Sequence, residues 1–493
     1  MRPLEYVVLI TLIISFVTLA NRKLRASRVL RWTAFLPLVA SAVQFVVEGQ
    51  RWQLYPAYAL AVIFALVEGT RLAYPGRMRP ARVIRIGTGI LAVIVMIIAV
   101  ALPALLPVFS FPKPTGPYAI GTMTYHWTDT SRPDIYSSKS SDKRQLMVQV
   151  WYPAKTTVSS ARAPYVDNAN AVSTGLTKGL GLPSFIFDDF KYVTTHAVPA
   201  APIATDKPSY PVLLYLTGLT GFRQASMFQI ENLVSHGYIV AGIDQPYTSA
   251  AVTFPNGQVV YGLSEDQALP AINQSLSPAK DAPTLNGHAL PDGVIPYLAE
   301  DARFTLDQLT VLNTSSNSLA GHLDLRHAGI FGISLGGMTA AETCHEDSRF
   351  SACLMMDAAM PADVVASGLQ QPGMWITRPA SDMQLEDKEA GGWSPKDIHQ
   401  TLSTMQAVYG QSKPGNGYYV SVKGMFHHNF FDVPYYSPVL SKTGSVGPIA
   451  TQRGFDIVNA YTLGFFNQAL VEQDSSLLSG SMHPYPEAAL QQK

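Results

Sequence analysis

The sequence predicts a chain in two parts: an α/β domain built on a mostly parallel sheet, preceded by an N-terminal region of four transmembrane helices. Three observations predict it. The first 110 residues hold four long apolar runs, two of them followed by Arg-rich loops. From about residue 118 onward, short apolar strands alternate with helical patterns, as in a parallel sheet with crossover helices. Within that second part, one Gly-x-Ser-x-Gly lies between a strand and a helix.

Composition narrows the possibilities. With 493 residues there is length for about three domains and at least one full core. Thirty-five basic and 35 acidic side chains cancel, and only 14% of residues are charged. That is far below the roughly 25% of soluble domains and argues against a nucleic-acid partner. At 47% hydrophobic residues, the chain is too apolar to be disordered.

The membrane region is assigned to residues 1–110, with spans near 3–20, 29–48, 52–71 and 86–109. The last is the clearest, since Ile86 to Phe109 carries no charge and about 20 apolar residues suffice to cross a bilayer. Loop charges orient it. Arg22, Lys23, Arg25, Arg28 and Arg31 fill the first loop, and Arg71, Arg77, Arg79, Arg82 and Arg85 the third, whereas the second has only Arg51. Basic loops stay cytoplasmic, so both ends of the region are expected to face outward, making a multi-pass cell-membrane protein with an extracytoplasmic second domain. The first run lacks an A-x-A-like cleavage site and reads as an uncleaved anchor.

A linker at 111–117, including Pro112-Lys113-Pro114-Thr115-Gly116-Pro117, cannot continue a helix. The domain at 118–493 then shows strands at Arg144–Tyr152, Pro211–Leu216, Tyr238–Ile243, His327–Gly332, Ala352–Met356, Gly373–Ile376 and Tyr418–Val422. Ser159–Ser209 and Pro255–Pro291 lack clear periodicity and read as lids or binding loops. Cys344 and Cys353 are too few for a disulfide framework or a structural zinc site and are expected to be unpaired, buried apolar residues.

Chemistry concentrates at Gly332-Ile333-Ser334-Leu335-Gly336, between the run Ala328–Phe331 and the helical pattern from Met338. In that context the motif is a nucleophile elbow, its glycines relieving a sharp turn that lifts the Ser334 oxygen above the sheet. A serine hydroxyl needs a base, and histidine is the usual one. The triad order of such folds is Ser, then Asp or Glu, then His, so His427 or His428 in Gly424-Met425-Phe426-His427-His428-Asn429-Phe430 fits. Order also leaves two acids open. Asp357 closes the strand after the nucleophile helix, and Asp382 closes the next, in Trp375–Asp382. For the oxyanion, the turn Thr217-Gly218-Leu219-Thr220-Gly221 after an early strand offers the amide of Leu219 to pair with that of Leu335.

Taken together these motifs resemble the platelet-activating factor acetylhydrolase family, plasma and intracellular type II group, of the α/β-hydrolase superfamily. The likeness spans most of residues 117–470. It rests on Leu146–Pro153, Gly218–Arg223, Ser235–Ala241, the elbow, Asp357 and His427–Asp432. The resemblance implies an α/β-hydrolase fold, with Asp357 rather than Asp382 as the acid and His427 rather than His428 as the base. It implies a serine esterase without metal or cofactor that removes short or oxidised acyl groups from phospholipids. Thr217 and Ile333 depart from the family pattern, where His is usual, which bears on pocket shape rather than on backbone donors. The alternatives are a broad-specificity carboxylesterase, or a membrane sensor with a degenerate hydrolase domain.

Overall fold

The computed structural model describes residues 1–74, 82–139, 141–155 and 161–493. They form two compact units, Met1–Phe109 with Tyr436–Val439, and Ser110–Tyr435 with Leu440–Lys493.

In the first unit, helices α1 (Pro3–Ala20), α2 (Leu36–Glu48), α3 (Tyr55–Ala73) and α4 (Arg82–Leu105) share a core of Val8, Leu12, Leu60, Phe64 and Ala99. Among the described residues, four helical segments are long and apolar enough to cross a membrane: Pro3–Ala20, Leu30–Glu48, Trp52–Ala73 and Ile86–Leu105. The α-helical part of the second begins only at Leu36, with Pro37 in its first turn, after a 3₁₀ stretch over Leu30–Phe35. Proline suits that position because it has no amide to leave unpaired. The last helix ends at Leu105, short of the expected Phe109, just ahead of Pro107. Glu5, the one acid of the first run, is fully buried and pairs with Arg51 at 2.9 Å and with Arg2 at 2.9 Å. A buried carboxylate requires such partners. At another turn Arg31 pairs with Glu68 at 3.0 Å. Arg77 and Arg79 of the third loop lie outside the described residues.

The second unit is built on a ten-stranded sheet. In chain order its strands are β1 (Ala119–Pro133), β2 (Lys143–Ala154), β3 (Val198–Pro199), β4 (Tyr210–Leu216), β5 (Ile239–Asp244), β6 (Leu323–Ile333), β7 (Phe350–Met356), β8 (Gly373–Thr377), β9 (Gly417–Val422) and β10 (Ala488–Gln492). Their order across the sheet is β10-β9-β8-β7-β6-β4-β5-β2-β1-β3. The six from β5 through β9 by way of β4 are parallel, with antiparallel β2 and β1 on one side and antiparallel β10 on the other. The central strands are continuous apolar runs such as Val212-Leu213-Leu214-Tyr215-Leu216, all fully buried, as a sheet covered on both faces demands.

Each expected strand is present: Tyr238–Ile243 is shifted by one residue to Ile239–Asp244, and the others are extended by one to five residues. Three were not expected. Strand β1 is long but mixes Thr, His and Asp with aromatics because its outer half alternates between exposed and buried positions. Strands β3 and β10 are short edge pieces. The two segments read as irregular are partly helical: Ala169–Leu180 (α5) in the first, and Glu265–Leu276 (α6) in the second, whose periodicity is interrupted by Pro270. Residues 156–160 lie outside the described residues, so the first of these segments is described only from residue 161.

The cysteines are a correction. Cys344 and Cys353 form a disulfide. Cys344 lies near the end of the helix Leu335–Glu346 (α7) and Cys353 within β7, to which the chain turns straight back, so their Cα atoms are 6.5 Å apart. That is within bridging reach. Sequence spacing alone does not show that the helix doubles back with both side chains on the same side.

Candidate active site

Four neighbouring parallel strands and β4 end on one edge of the sheet, and each delivers a residue of interest there. This is where open α/β sheets carry their sites. In register, Ile333 at the end of β6 pairs with Met356 at the end of β7, so Ser334 and Asp357 are the next residues on adjacent strands. The Ser334 amide donates to the Met356 carbonyl at 3.0 Å, and the Asp357 amide to that of Ile376 at 2.8 Å.

Ser334 is held at φ 56°, ψ −125°, a conformation that costs a non-glycine residue about 1–3 kcal/mol. The turn is possible because of its glycines. A Cβ on Gly332 would overlap the Gly336 carbonyl, and one on Gly336 would overlap the Leu216 carbonyl at the end of β4. Gly218 is similarly tight, since a Cβ there would meet the Ser334 Cβ at 3.2 Å and the Phe431 ring at 3.0 Å. Thus the turn after β4 lies against the serine.

That turn is pinned on both sides. The amide of Thr220 donates to the Thr248 carbonyl at 2.7 Å, and that of Gly221 to the Gly218 carbonyl at 2.9 Å. Just before them, the Leu219 amide has no backbone acceptor among the described residues. Leu335 is the first residue of α7, where an amide has no intrahelical acceptor. Side chains of both leucines belong to one apolar cluster with Ile272, Val294 and Leu263.

Asp357 is buried and surrounded by donors. Its Oδ2 lies 2.7 Å from His427 Nδ1 and accepts from Arg378 Nε at 3.0 Å, while its Oδ1 accepts from the Thr377 hydroxyl at 2.7 Å. Burial pushes this carboxyl up, but the Arg378 charge and the bonds from His427 and Thr377 hold it well below the ordinary carboxylate range. His427 comes from the loop after β9 and is half-buried. Among the described residues it makes no direct hydrogen bond to Ser334 Oγ. Bonds of this kind commonly tighten only with substrate in place.

The two alternatives are placed elsewhere. His428 is exposed, with Nδ1 3.0 Å from the Ser445 carbonyl. Asp382 does not close a strand: β8 stops at Thr377, Pro379 follows, and Asp382 stands in the first turn of helix α8 (Ala380–Ala390). Its Oδ2 accepts the Gly424 amide at 2.5 Å, and Glu386 on the same helix accepts the His427 amide at 3.2 Å. Helix α8 therefore fastens the histidine loop. At the far end of that loop, buried Asp432 accepts the amides of Met227 and Phe228 at 2.8 and 3.1 Å, and the Tyr165 hydroxyl at 3.0 Å. Burial raises its pKa well above the ordinary value.

Sequence reasoning missed Arg378, Thr377, Glu386 and Trp393 as parts of this site. The available signal was an arginine directly after a largely apolar strand. Among the described residues, no group of three His, Cys, Asp or Glu side chains is arranged to hold a metal ion. The arrangement can supply a strained serine, a histidine oriented by a carboxylate, and two backbone donors.

Comparison with known proteins points the same way. The family model described as platelet-activating factor acetylhydrolase, isoform II, matches residues 106–273 and 306–480. A platelet-activating factor acetylhydrolase of Cavia porcellus is 26% identical over 388 residues, covering 75% of this chain and 81% of that protein. A probable 1-alkyl-2-acetylglycerophosphocholine esterase of Arthroderma benhamiae is 23% identical over 435 residues, covering 81% of this chain and 98% of its own. Among solved structures, a ferulic acid esterase from Streptomyces cinnamoneus aligns with TM-score 0.59 and 25% identity, over 78% of this chain and 100% of that one.

Proposed function

The chain belongs to the platelet-activating factor acetylhydrolase isoform II family and is a carboxylic ester hydrolase, and from that premise we propose a membrane-anchored serine esterase acting through Ser334, His427 and Asp357. Ser334 Oγ attacks the ester carbonyl as His427 takes its proton. The amides of Leu219 and Leu335 receive the oxyanion, and each such donor is worth about 3 kcal/mol in a water-excluded site. His427 then protonates the leaving alcohol. Water attacks the acyl-enzyme, again giving its proton to His427, and the carboxylic acid departs. Asp357 fixes the imidazole tautomer and stabilises the imidazolium. The observation that carries this reading is the 2.7 Å contact between Asp357 and His427 on the strand edge that holds the strained Ser334.

The substrate proposed is a phospholipid with a short or oxidised acyl group. Two features support it. Beside Leu219 and Leu335, a cavity of about 20 Å³ is lined by Tyr136, Leu263, Ile272, Leu285 and Val294, apolar and with room for little more than a methyl group, which favours a short acyl chain over a long one. The four apolar helices would keep the enzyme at a lipid surface, raising its effective concentration toward amphiphilic esters. The domain is proposed to face the extracytoplasmic side, which the basic loops favour and the Cys344–Cys353 disulfide supports, since such bonds persist in oxidising compartments.

A chain-length series of p-nitrophenyl esters beside 2-acetyl phospholipids tests it on the full-length enzyme. Highest kcat/KM on acetyl esters and release of acetate from the phospholipid are expected. Equal rates from acetyl to decanoyl with no phospholipid turnover would favour a broad carboxylesterase.

A further inference from the structure

Asp357 carries two cationic partners on one oxygen. Oδ2 faces His427 Nδ1 at 2.7 Å and Arg378 Nε at 3.0 Å, and the other oxygen is taken by Thr377. The guanidinium has no solvent exposure. Three contacts fix it: Asp357, an ion pair from Nη1 to Glu386, and the face of Trp393, whose ring centre is 4.6 Å from the guanidinium carbon. Trp393 in turn meets the His427 ring edge to face at 5.3 Å. Glu386 accepts the His427 amide at 3.2 Å. The arginine is thus bound to the acid, to the carboxylate that holds the histidine's amide, and to the aromatic ring against that histidine.

Such an arrangement has an electrostatic consequence. A carboxylate beside a histidine favours the imidazolium; a buried cation on the same carboxylate opposes it. The other charged or titratable groups around His427 are Glu386 and Asp382 from α8, and His428 from its own loop. Of these, Glu386 is ion-paired with Arg378, and the charge of Asp382 also acts on that guanidinium. We propose that Arg378 is a positioning residue for the ester hydrolysis: it aims Asp357 at His427 and places its buried charge on the carboxylate that orients the base. The proposal rests on the role given above to His427 and Asp357. The guanidinium does not touch the reacting atoms, and its effect passes through the Asp357–His427 pair.

The pH profile of kcat/KM for p-nitrophenyl acetate, measured on the full-length enzyme in detergent, tests it. Arg378→Gln is expected to move the midpoint of the acid limb upward by about one pH unit, because a unit charge a few ångströms from the imidazole is removed. Arg378→Lys keeps the charge and is expected to return the midpoint most of the way to that of the wild type, while its kcat stays below wild type because the stack on Trp393 is lost. Glu386→Gln removes the opposing charge and is expected to move the midpoint downward. A role in folding alone would not shift the two charge-removing variants in opposite directions. An unchanged midpoint in Arg378→Gln overturns the proposal, as does a shift of both variants in the same direction. Should Arg378→Gln fail to fold, Glu386→Gln decides: a lower midpoint supports it, and an unchanged or higher one overturns it. Failure of the underlying triad is read separately, from Ser334→Ala retaining wild-type turnover.

Discussion

Asp382 Oδ2 accepts the backbone amide of Gly424 at 2.5 Å, three residues before His427, and so holds the histidine loop without touching an imidazole. Asp357, one strand nearer the serine, faces His427 directly. The two carboxylates are therefore expected to respond differently to loss of charge. Asp357→Asn should lower kcat by about 10³–10⁴-fold, as expected when the imidazole loses its orienting acid. Asp382→Asn retains an acceptor for Gly424 and should cost less than about tenfold. Steady-state kinetics on an acetyl ester measures both, and the reverse ranking would move the acid to α8.

The disulfide ties the helix that starts at the nucleophile to the strand that ends at the acid. It closes a loop with a sequence separation of 9, for which chain entropy gives about 2–3 kcal/mol. Denatured but unreduced protein should take up no thiol reagent, and reduced protein two equivalents, read by intact mass. Cys344→Ser should lower the thermal midpoint while leaving kcat within a few-fold.

Glu342, on the same helix, is buried, and its carboxyl group meets that of Asp363. Burial, and then the charge of Asp363, push its pKa from an ordinary 4.5 up to about 9. The folded state therefore keeps a proton that the unfolded chain releases above pH 4.5. Stability should fall as pH rises between those two values. Glu342→Gln is expected to raise the thermal midpoint by a few degrees at pH 8 and to change it little at pH 4.5. Equal gains at both pH values would contradict a buried protonated acid.

The cavity beside Leu219 and Leu335 offers a test of acyl selection. Ile272 and Val294 are buried in its wall. Ile272→Ala enlarges it and should move the best p-nitrophenyl ester from acetyl toward butanoyl or hexanoyl, with kcat/KM for the acetyl ester reduced several-fold. An unchanged chain-length profile would place the acyl group elsewhere.

Much of this was legible in the residues. The stretches that lead to Ser334 and Asp357, Ala328–Ile333 and Ala352–Met356, are fully buried, so they read as unbroken apolar runs, and the elbow glycines are fixed by the clashes that a Cβ would make. What stayed hidden depended on tertiary position. Strand β1 lies near an edge and is half polar, and helix α6 carries Pro270, so neither shows a plain period. Asp382 reads as a strand end until Pro379 is seen to open a helix. Arg378 looks like a loop charge, and its burial against Asp357, Glu386 and Trp393 comes only from the packing of α8 and the segment after it.

The central claim is that Ser334 is the nucleophile. Full-length enzyme treated with a fluorophosphonate probe, digested and mapped by mass spectrometry tests it most directly. Stoichiometric labelling of the peptide containing Ser334 is expected, in step with loss of acetyl-ester hydrolysis, and Ser334→Ala should show neither label nor turnover. Labelling at another residue, or hydrolysis that survives in Ser334→Ala, would contradict it.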